Sequence, residues 1–405
     1  MTSHYDIVIV GGGMVGASLA CALGNSPFKV ALLDQRVAQD PPAQGFDLRV
    51  SAITLASRVI FENLGAWDFM TRRRVCAVEQ MHIRDEGGSG SVTFDAAEIA
   101  EPCLAYIIEN SVIHTALIER LQQFTNVHTL VPVTPETMEF GSEQVIIVLR
   151  DGRRLAARLV VGADGADSLV RRATGIETRR LDLGQSGVVA TVVTERPHAN
   201  VARQRFLGTG PLAFLPLADE HTCSIVWSAD TELASALLAL DDDAFVARLL
   251  AAFGDDLGRI RSVGPRAVFP LALSHVRAYC APRAALVGDA AHTVHPLAGQ
   301  GVNLGFLDAA SLAEILIAAQ RSHQDVGSLA VLRRYERWRK GENLGMVSVT
   351  GGFRYLFSNK LPGLTQLRNF GLDLVDAAIP LKSALTRRAS GLTGDLPKLA
   401  RRSAA

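Results

Sequence analysis

The chain reads YDIVIVGGGMVG from Tyr5 to Gly16. The first half of this stretch is a β-branched run, which is typical of a strand buried on both faces of a parallel sheet. The second half has the spacing G-x-G-x-x-G at Gly11, Gly13 and Gly16. In such a turn the first glycine permits the tight bend, the second lets the backbone touch a pyrophosphate, and the third lets the helix pack closely on the strand.

The residues after the glycines complete a strand–helix–strand unit. Residues 17–23 are rich in Ala and Leu and predict a helix, and residues 29–33 predict a second strand that ends at Asp34. The N-terminus of that helix offers free N–H groups to phosphates. Asp34 lies 18 residues beyond Gly16, close to the distance at which an acidic side chain hydrogen-bonds the adenosine ribose. A lone glycine-rich turn is weak support, whereas the complete unit predicts a dinucleotide-binding site.

Length, composition and charge limit the class of protein. The 405 residues exceed the roughly 250–300 residues over which one core grows, so we expect at least two domains. An apolar content of 48% excludes a disordered chain, and a formal net charge of zero argues against nucleic-acid binding. The charge is uneven, because residues 331–405 hold 14 of the 41 Lys and Arg residues and 5 of the 41 Asp and Glu residues.

Cysteine and hydropathy patterns indicate a cytoplasmic protein. The five cysteines include no C-x-x-C pair, so we expect reduced thiols and no zinc site. Residues 7–28 carry no charge and are about long enough to cross a bilayer. However, Gly11–Gly13 interrupts this run, and Asp6 stands where a signal peptide has basic residues. We expect no other run of membrane-spanning length.

Two later Gly-Asp segments indicate a large cofactor that stays bound. An apolar strand at 158–162 leads to Asp164, and another at 284–287 leads to Gly288 and Asp289. Residues 296–303 then run into a predicted helix from Leu304 to about Gln320. A nicotinamide dehydrogenase needs no further cofactor-binding segments roughly 150 and 270 residues after the glycine-rich turn. A flavin cofactor does need them, because its flavin ring lies well away from its adenosine.

These segments resemble the FAD-dependent aromatic hydroxylases of the para-hydroxybenzoate hydroxylase type. Further motifs make the chain similar to the bacterial ubiquinone-biosynthesis hydroxylases, and residues 196–204 and 212–228 look most like the 2-polyprenylphenol hydroxylase branch. The resemblance implies a resident FAD, NAD(P)H as a transient reductant, and hydroxylation of a 2-polyprenylphenol by O₂ through a flavin C4a-hydroperoxide. The motifs that carry the narrower resemblance are Asp47–Ile53, Glu109–His114, His292–Gly305 and Arg333–Arg337.

The resemblance also implies the architecture, an α/β fold. A Rossmann-like FAD-binding domain is expected to hold an inserted, mostly antiparallel β-sheet substrate domain and to be followed by a C-terminal helical segment. Strand patterns between about 181 and 274 favour such a sheet, which we expect to lie over the flavin. The predicted ranges are 1–72, 103–180 and 275–340 for the FAD-binding domain, 73–102 and 181–274 for the substrate domain, and 341–405 for a basic amphipathic C-terminal region.

By the same resemblance, several residues are candidate cofactor contacts. Asp289 is expected on the ribityl and phosphate side, and Gly299–Asn303 against the flavin pyrimidine edge, where a helix N-terminus stabilises the negative charge of reduced flavin. For Arg49 the alternative is a surface ion pair, and for Asp164 it is a helix cap. The full predicted set is Gly11, Gly13, Gly16, Asp34, Arg49, Asn110, Asp164, Asp289, Pro296, Gly299, Gln300, Gly301, Val302 and Asn303.

One histidine is a candidate for proton transfer. His295 precedes Pro296, and histidine titrates near neutral pH, so it can relay the phenol proton. The alternative is a histidine hydrogen-bonded to backbone near a helix start, which is what we expect of His292. The expected chemistry requires neither a metal nor a paired carboxylate, and the sequence indicates neither.

The C-terminal region has its own pattern. Apolar and small residues at spacings of 3 and 4, from Leu364 to Ala378, predict an amphipathic helix. One reading is a docked helix with a solvated basic tail. The other is contact with the cytoplasmic face of the inner membrane or with a ubiquinone-biosynthesis protein complex. The helix positions are Leu364, Leu367, Gly371, Leu374 and Ala378, and the basic residues after them are Lys382, Arg387, Arg388, Lys398, Arg401 and Arg402.

Other functions remain open from the sequence. A sister hydroxylase acting at another ring position shares most of the motifs. A different flavin enzyme is a second alternative, although Trp67, Trp227 and Trp338 are isolated and do not form the W-x-W-x-I-P motif of flavin halogenases. A third is a structural FAD protein of the biosynthetic complex.

Overall fold

The computed structural model describes residues 2–86, 90–294, 301–358, 376 and 378–402, with the backbone alone for 347–358. Some predicted positions lie outside the described residues. They are His295, Pro296, Gly299 and Gln300, together with Leu364, Leu367, Gly371 and Leu374 of the predicted C-terminal helix.

Strands and helices occur along the whole described chain. The strands are β1 (Thr2–Val10), β2 (Val30–Leu33), β3 (Val50–Thr54), β4 (Cys76–Val78), β5 (Gln80–Asp85), β6 (Ser91–Asp95), β7 (Ala105–Glu109), β8 (Val127–Leu130), β9 (Pro135–Phe140), β10 (Val145–Leu149), β11 (Arg154–Gly162), β12 (Thr178–Thr194), β13 (Val201–Leu207), β14 (Gly210–Pro216), β15 (Thr222–Asp230), β16 (Ile260–Val276), β17 (Cys280–Ala281), β18 (Ala284–Leu286) and β19 (His292–Thr293). The α-helices are α1 (Met14–Ala22), α2 (Leu55–Leu64), α3 (Trp67–Thr71), α4 (Asn110–Leu121), α5 (Leu169–Ala173), α6 (Thr231–Ala239), α7 (Asp242–Phe253), α8 (Gly301–Arg321), α9 (Leu329–Ser358) and α10 (Ile379–Ala389).

The first sheet contains the predicted strand–helix–strand unit. Its main path has the order β17-β18-β11-β1-β2-β8, and β9 and β10 extend from β11. Strand β1 runs parallel to both β2 and β11, so it lies at the centre of the sheet. Residues 7–10 of β1 are buried, as the unbroken apolar run predicts.

The second sheet is mostly antiparallel, as expected for the substrate region. Its order is β19-β16-β12-β15-β14-β13-β5-β6, and a separate three-stranded sheet has the order β3-β7-β4. Strands β12 and β16 each contain 17 residues and pair along most of their length. They begin or end a few residues outside 181–274, and the predicted domain boundaries stay a prediction.

The second sheet has two faces with different partners. On the outer face, Phe214 and Trp227 pack with Phe245 of α7 in one hydrophobic cluster. On the inner face, Leu215 packs with Ile107 of the three-stranded sheet. Since side chains alternate along a strand, the inner face points towards the three-stranded sheet and the outer face away from it.

Helix α8 crosses the core of the molecule. Among the described helices it alone is apolar and long enough to span a membrane by length and composition, so the expectation that no other run has membrane-spanning length was wrong. However, 67% of its most apolar window is buried inside the protein. Phe306 of α8 packs edge-to-face on Phe61 of α2, with ring centroids 4.8 Å apart. These are the contacts of a core helix.

Candidate functional site

The three glycines of the turn have different surroundings. Gly11 has a φ of +102°, and a Cβ there would lie 2.4 Å from the carbonyl oxygen of Ala163. A Cβ on Gly16 would lie 1.9 Å from the carbonyl oxygen of Gly11. By contrast, no atom lies within 4 Å of a Cβ placed on Gly13. Gly11 and Gly16 therefore permit close packing, whereas Gly13 borders an open hollow where a phosphate could approach the backbone.

The hollow at Gly13 lies at the N-terminus of α1. Gly13 is the N-cap residue and provides no side chain to accept from the first N–H groups of the helix. The preceding peptide is held at both ends, because the Gly12 N–H donates to Asp34 Oδ2 over 2.7 Å and the Gly12 carbonyl oxygen lies 2.7 Å from His114 Nε2. These bonds fix the turn in a shape that leaves the helix N–H groups available to an anion.

Asp34 thus supports the turn itself. Its Oδ1 accepts from the backbone N–H of Arg36 over 2.8 Å, and its Oδ2 accepts from Gly12. A carboxylate offers about four acceptor sites, so Asp34 retains capacity for the ribose hydroxyls that the sequence assigned to it.

Segments distant in sequence meet beside this turn. A Cβ on Gly288 would lie 3.3 Å from the side chain of Val15 in α1. A Cβ on Gly305 of α8 would lie 2.6 Å from Val15 and 3.3 Å from the Cα of Gly288. Because a Cβ on Gly11 would also meet Ala163, the structure brings together the Gly11 turn, the segment at Ala163 and Asp164, the Gly288 turn and the described start of α8.

Asp289 directly follows Gly288 at this junction of segments, which we call the cleft. Its side chain is exposed, yet desolvation by the surrounding protein raises the pKa of its carboxyl group, and electrostatic interactions with His292 and Arg49 partly counteract this rise. The Arg49 guanidinium lies 5.3 Å from the ring centroid of Phe269 on β16. Among the described residues Arg49 forms no ion pair, and its cofactor contact stays a prediction.

Asn110 and Asp164 also lie next to the cleft elements. Asn110 begins α4; its backbone N–H donates to the Arg49 carbonyl over 2.9 Å, and its Oδ1 accepts from the Ser51 hydroxyl over 2.7 Å. Asp164 Oδ2 accepts from the backbone N–H of Leu169 over 2.6 Å at the start of α5, which is the capping role given as its alternative. Its Oδ1 is buried and has no hydrogen-bond partner among the described atoms.

The first turn of α8 is anchored to β3. Gly301 and Val302 open this helix, and the buried Asn303 bonds β3 through both ends of its amide. Its Oδ1 accepts from the Thr54 N–H over 3.0 Å, and its Nδ2 donates to the Ala52 carbonyl over 2.7 Å. The Asn303 side chain therefore positions the helix start, and the flavin contact predicted for Gly301–Asn303 stays a prediction.

A buried polar cluster lies beneath the Gly288 turn. Asp308 of α8 is fully buried; its Oδ2 accepts from the Gly288 N–H over 3.2 Å and lies 2.6 Å from His292 Nε2. Its Oδ1 accepts from Arg339 Nε over 3.0 Å and from Asn343 Nδ2 over 2.9 Å. The side-chain partner of His292 is thus a carboxylate, and the expectation that backbone satisfies it was wrong.

The charge state of Asp308 follows from these partners. Burial acts to raise its pKa, but the positive charges of His292 and Arg339 and the hydrogen bonds outweigh it and lower the pKa from 3.8 to about 2. Asp308 is the only charged residue between Gly301 and Ala313, and a lone acid in an apolar helix is the signal that could have revealed the cluster.

The chain is similar to known flavoproteins over nearly its whole length. Residues 4–343 match the family described as FAD binding domain. The chain is 40% identical to ubiquinone hydroxylase UbiL of Rhodospirillum rubrum over 390 residues, which cover 95% of this chain and 89% of the relative. It is 36% identical to 3-demethoxyubiquinol 3-hydroxylase of Escherichia coli over 392 residues, which cover 96% and 98%. The crystal structure of p-nitrophenol 4-monooxygenase PnpA from Pseudomonas putida shares the fold, with a TM-score of 0.80, 20% identity and coverage of 97% of this chain and 99% of that chain.

Proposed function

This chain belongs to the family of FAD-dependent ubiquinone-biosynthesis hydroxylases, and we propose that it hydroxylates the ring of a 2-polyprenylphenol during aerobic ubiquinone biosynthesis. It is an FAD-dependent monooxygenase. The names of its relatives refer to different hydroxylation reactions. The identity of the substrate as a 2-polyprenylphenol, and the ring position that is hydroxylated, are therefore our proposal. The motifs at 196–204 and 212–228 support the 2-polyprenylphenol over a sister substrate.

The observation that carries the proposal is an aromatic side chain placed beside the cofactor cleft. Phe269 on β16 is 37% exposed and lies under the Arg49 guanidinium, which is close enough to Asp289 to affect its pKa. Its neighbour Val268 packs into the outer cluster under α6 and α7, so Phe269 projects from the inner face. An apolar wall next to the cofactor suits an aromatic ring with an apolar tail.

The residues of the cleft fit FAD. The open hollow at Gly13, the free N–H groups of α1 and the carboxylate of Asp34 suit a diphosphate and a ribose. The exposed Asp289 is our candidate for the ribityl chain; Arg49 is close enough to affect its pKa, and Asn110 donates its backbone N–H to the Arg49 carbonyl. When bound and reduced, FAD supplies the chemistry by activating O₂ for transfer of one oxygen atom to the ring.

The protein's own contribution is to hold the cofactor, orient the substrate ring and exclude water. The bonds from Asp34 and His114 to Gly12 keep the phosphate turn in shape, and Asp308 holds the Gly288 turn from beneath. The inner sheet face keeps water from the ring. His292 is committed to Asp308, which leaves His295 as our candidate for the phenol proton.

We extend the proposal to partners and location. NAD(P)H binds transiently as reductant, since the chain has one G-x-G-x-x-G motif. The enzyme works in the cytoplasm at the inner-membrane surface, in contact with other proteins of ubiquinone biosynthesis, because a polyprenylated phenol resides in the bilayer.

Product analysis tests the substrate and the site together. The purified, FAD-loaded chain is given NADPH or NADH, O₂ and either a 2-prenylphenol or a demethoxyubiquinol, and products are identified by mass spectrometry and ring NMR. We expect the prenylphenol to gain one oxygen atom. Conversion of the demethoxyubiquinol alone would favour the sister activity and refute the proposed substrate.

Two variants on strand β16 test whether the substrate ring binds against its inner face. Phe269→Ala should oxidise NAD(P)H with about tenfold less hydroxylated product per NAD(P)H, because the ring is no longer held close to the reacting oxygen. Val268→Ala, which faces the outer cluster, should lower the free energy of unfolding and leave the product ratio unchanged. Equal product ratios in the two variants would place the ring elsewhere.

A further inference from the structure

Helix α10 is docked on the protein by its polar face. The buried Lys382 donates from Nζ to the Thr93 carbonyl over 3.1 Å and lies 2.7 Å from Glu98 Oε1. Thr386, one turn later, is also buried. The buried Ser390, just after the helix, donates to the Leu104 carbonyl over 3.2 Å. The side of the helix that meets the protein is therefore held by hydrogen bonds and an ion pair.

The opposite face of α10 is apolar and exposed. Leu381 is 47% exposed and Leu385 44%. Ile379, the first residue of the helix, is 60% exposed but lies on the side of Lys382 and Thr386. Leu381 and Leu385 are one helical turn apart, and Ala384 beside them is also exposed. Of the eight large hydrophobic side chains exposed in the described part of the chain, three belong to this single helix. A helix of a water-soluble protein normally has the reverse arrangement, with its apolar stripe against the core.

We propose that this apolar face of α10, made of Leu381, Ala384 and Leu385, docks into the surface of an anionic lipid bilayer. Arg388 is exposed in the last turn, seven residues after Leu381 and on the same face, where it can meet anionic headgroups while the leucines enter the acyl boundary. The neighbouring Arg387 instead donates to the Ile99 carbonyl over 2.9 Å. The surrounding region is basic, with 14 Lys and Arg against 5 Asp and Glu in residues 331–405.

The size of the face favours a bilayer over a protein partner. A stable protein interface covers about 800 Å² on each side, which is far more than two leucines and an alanine on an 11-residue helix provide. An interfacial helix needs only a few large apolar side chains together with basic residues at headgroup depth.

The position of α10 connects this surface to the active-site cleft. Gly391, just beyond the helix, lies against Ala56 and Thr54. Thr54 in turn bonds Asn303 at the first turn of α8. A bilayer at α10 would therefore lie near the cleft, which suits a substrate with a membrane-embedded tail; this last step rests on the proposed function.

Vesicle flotation of the full, FAD-loaded chain tests the surface. We expect the wild type to float with vesicles of phosphatidylcholine and phosphatidylglycerol, and less with phosphatidylcholine alone. The double variant Leu381→Ser/Leu385→Ser should bind about tenfold or more weakly. The matched control Leu181→Ser/Leu238→Ser changes two equally exposed leucines elsewhere, at 59% and 43% exposure, and should float like the wild type.

A charge variant and two controls complete the test. Arg388→Gln should weaken binding to anionic vesicles and leave the weak binding to neutral vesicles unchanged. All variants should retain FAD content and NAD(P)H oxidation with a short-chain, water-soluble phenol. A wild type that stays unbound, or an α10 double variant that floats as well as its control, would overturn the proposal. If the chain floats but does not convert a prenylphenol, the docking surface stands and the proposed substrate fails.

Discussion

Gly13 and Gly16 lie three residues apart in one turn, yet a side chain would have opposite consequences at the two positions. The Gly13 backbone has a φ of −62°, which any residue can adopt, and its Cβ position is open. The variant Gly13→Val should therefore fold normally and bind FAD at least about tenfold more weakly, a loss of about 1.4 kcal/mol or more. Flavin titration of the apoprotein measures this.

Gly16→Val is the contrasting variant. Its side chain would collide with the Gly11 carbonyl oxygen, so the free energy of unfolding should fall by roughly 1–3 kcal/mol even without FAD. Urea denaturation of both apoproteins separates the two effects. If Gly13→Val were destabilised as much as Gly16→Val, the open hollow at Gly13 would not exist.

Asp308 should make the stability of the protein depend on acidity. A carboxyl group whose pKa is lowered by folding, here from 3.8 to about 2, contributes stability that is fully present above the unfolded pKa and is lost as pH falls through the folded pKa. We expect Asp308→Asn to cost about 3–5 kcal/mol near neutral pH, since it leaves Arg339 and His292 buried without their carboxylate. The difference in the free energy of unfolding between the wild type and Asp308→Asn should narrow by about 2–3 kcal/mol as pH falls from about 5 to 2.

Glu342→Gln provides the control for that variant. Glu342 pairs with the same Arg339, but its side chain is 36% exposed. Its removal should cost less than about 1 kcal/mol. Urea denaturation across the pH range compares the three proteins, and a gap between Asp308→Asn and the wild type that does not change with pH would refute the charged state assigned to Asp308.

At this scale the sequence predicted local patterns better than distant pairs. The glycines and Asp34 follow one another within a single unit, so their spacing alone places them at one turn. His114 reaches Gly12 across 102 residues, and no local spacing encodes such a contact. For the same reason the sequence did not predict that Asp308, rather than a backbone group, is the hydrogen-bond partner of His292.

Among the elements, those with unbroken apolar runs were predicted most closely. The second strand was expected at 29–33 and lies at Val30–Leu33; the helix expected from Leu304 to about Gln320 lies at Gly301–Arg321. Strand β16 was not predicted, because its outer and inner positions are only partly buried and Pro265 and Pro270 interrupt its pattern. Its partner β12 supplies the pairing that overrides the weak local signal.

Asn303 joins two elements, and its loss should affect both stability and cofactor binding. Asn303→Ala would leave the buried Ala52 carbonyl and the Thr54 N–H without their amide partner, at a cost of roughly 2–5 kcal/mol. FAD affinity should fall as well, since the start of α8 would be less firmly held against β3. Urea denaturation and hydrogen exchange in the first turn of α8 measure the two effects.

Asn63→Ala is the matched control for Asn303. Its amide also bonds a distant segment, donating to the Leu399 carbonyl over 2.9 Å, but this bond is exposed. We expect a cost below about 1 kcal/mol and unchanged FAD affinity. Equal effects of the two asparagines would mean that the α8 anchor is unimportant.

For the whole molecule, the cleft unites segments that are spread over about the first 300 residues of the chain. Residues 11–16, 163–165 and 288–289 and the start of α8 come together although each belongs to a different strand–turn unit. The sequence predicted this convergence through the size of the cofactor, whereas it did not predict that direct contacts of Val15 with Gly288 and Gly305 would produce it. Those contacts depend on the three-dimensional path of the chain, which composition and spacing do not contain.

This convergence predicts that FAD stabilises the entire fold. A ligand that binds only the folded state stabilises it by about 2.7 kcal/mol at 100 times its Kd, so thermal unfolding should shift upwards by several degrees. ADP can occupy only the α1 end of the cleft and should produce a smaller shift than FAD.

Two variants then show how much each end of the cleft contributes to the shift in unfolding temperature. Gly13→Val should reduce the shifts caused by both ligands, because both place a diphosphate at the N-terminus of α1. Asp289→Asn should reduce the FAD shift alone, since we expect its side chain at the ribityl chain, which ADP lacks. Differential scanning calorimetry of the three apoproteins with each ligand provides the comparison. Equal shifts with ADP and FAD in the wild type would mean that the segments at 288–289 and 301–305 do not grip the cofactor, and the flavin would then have to lie outside this cleft.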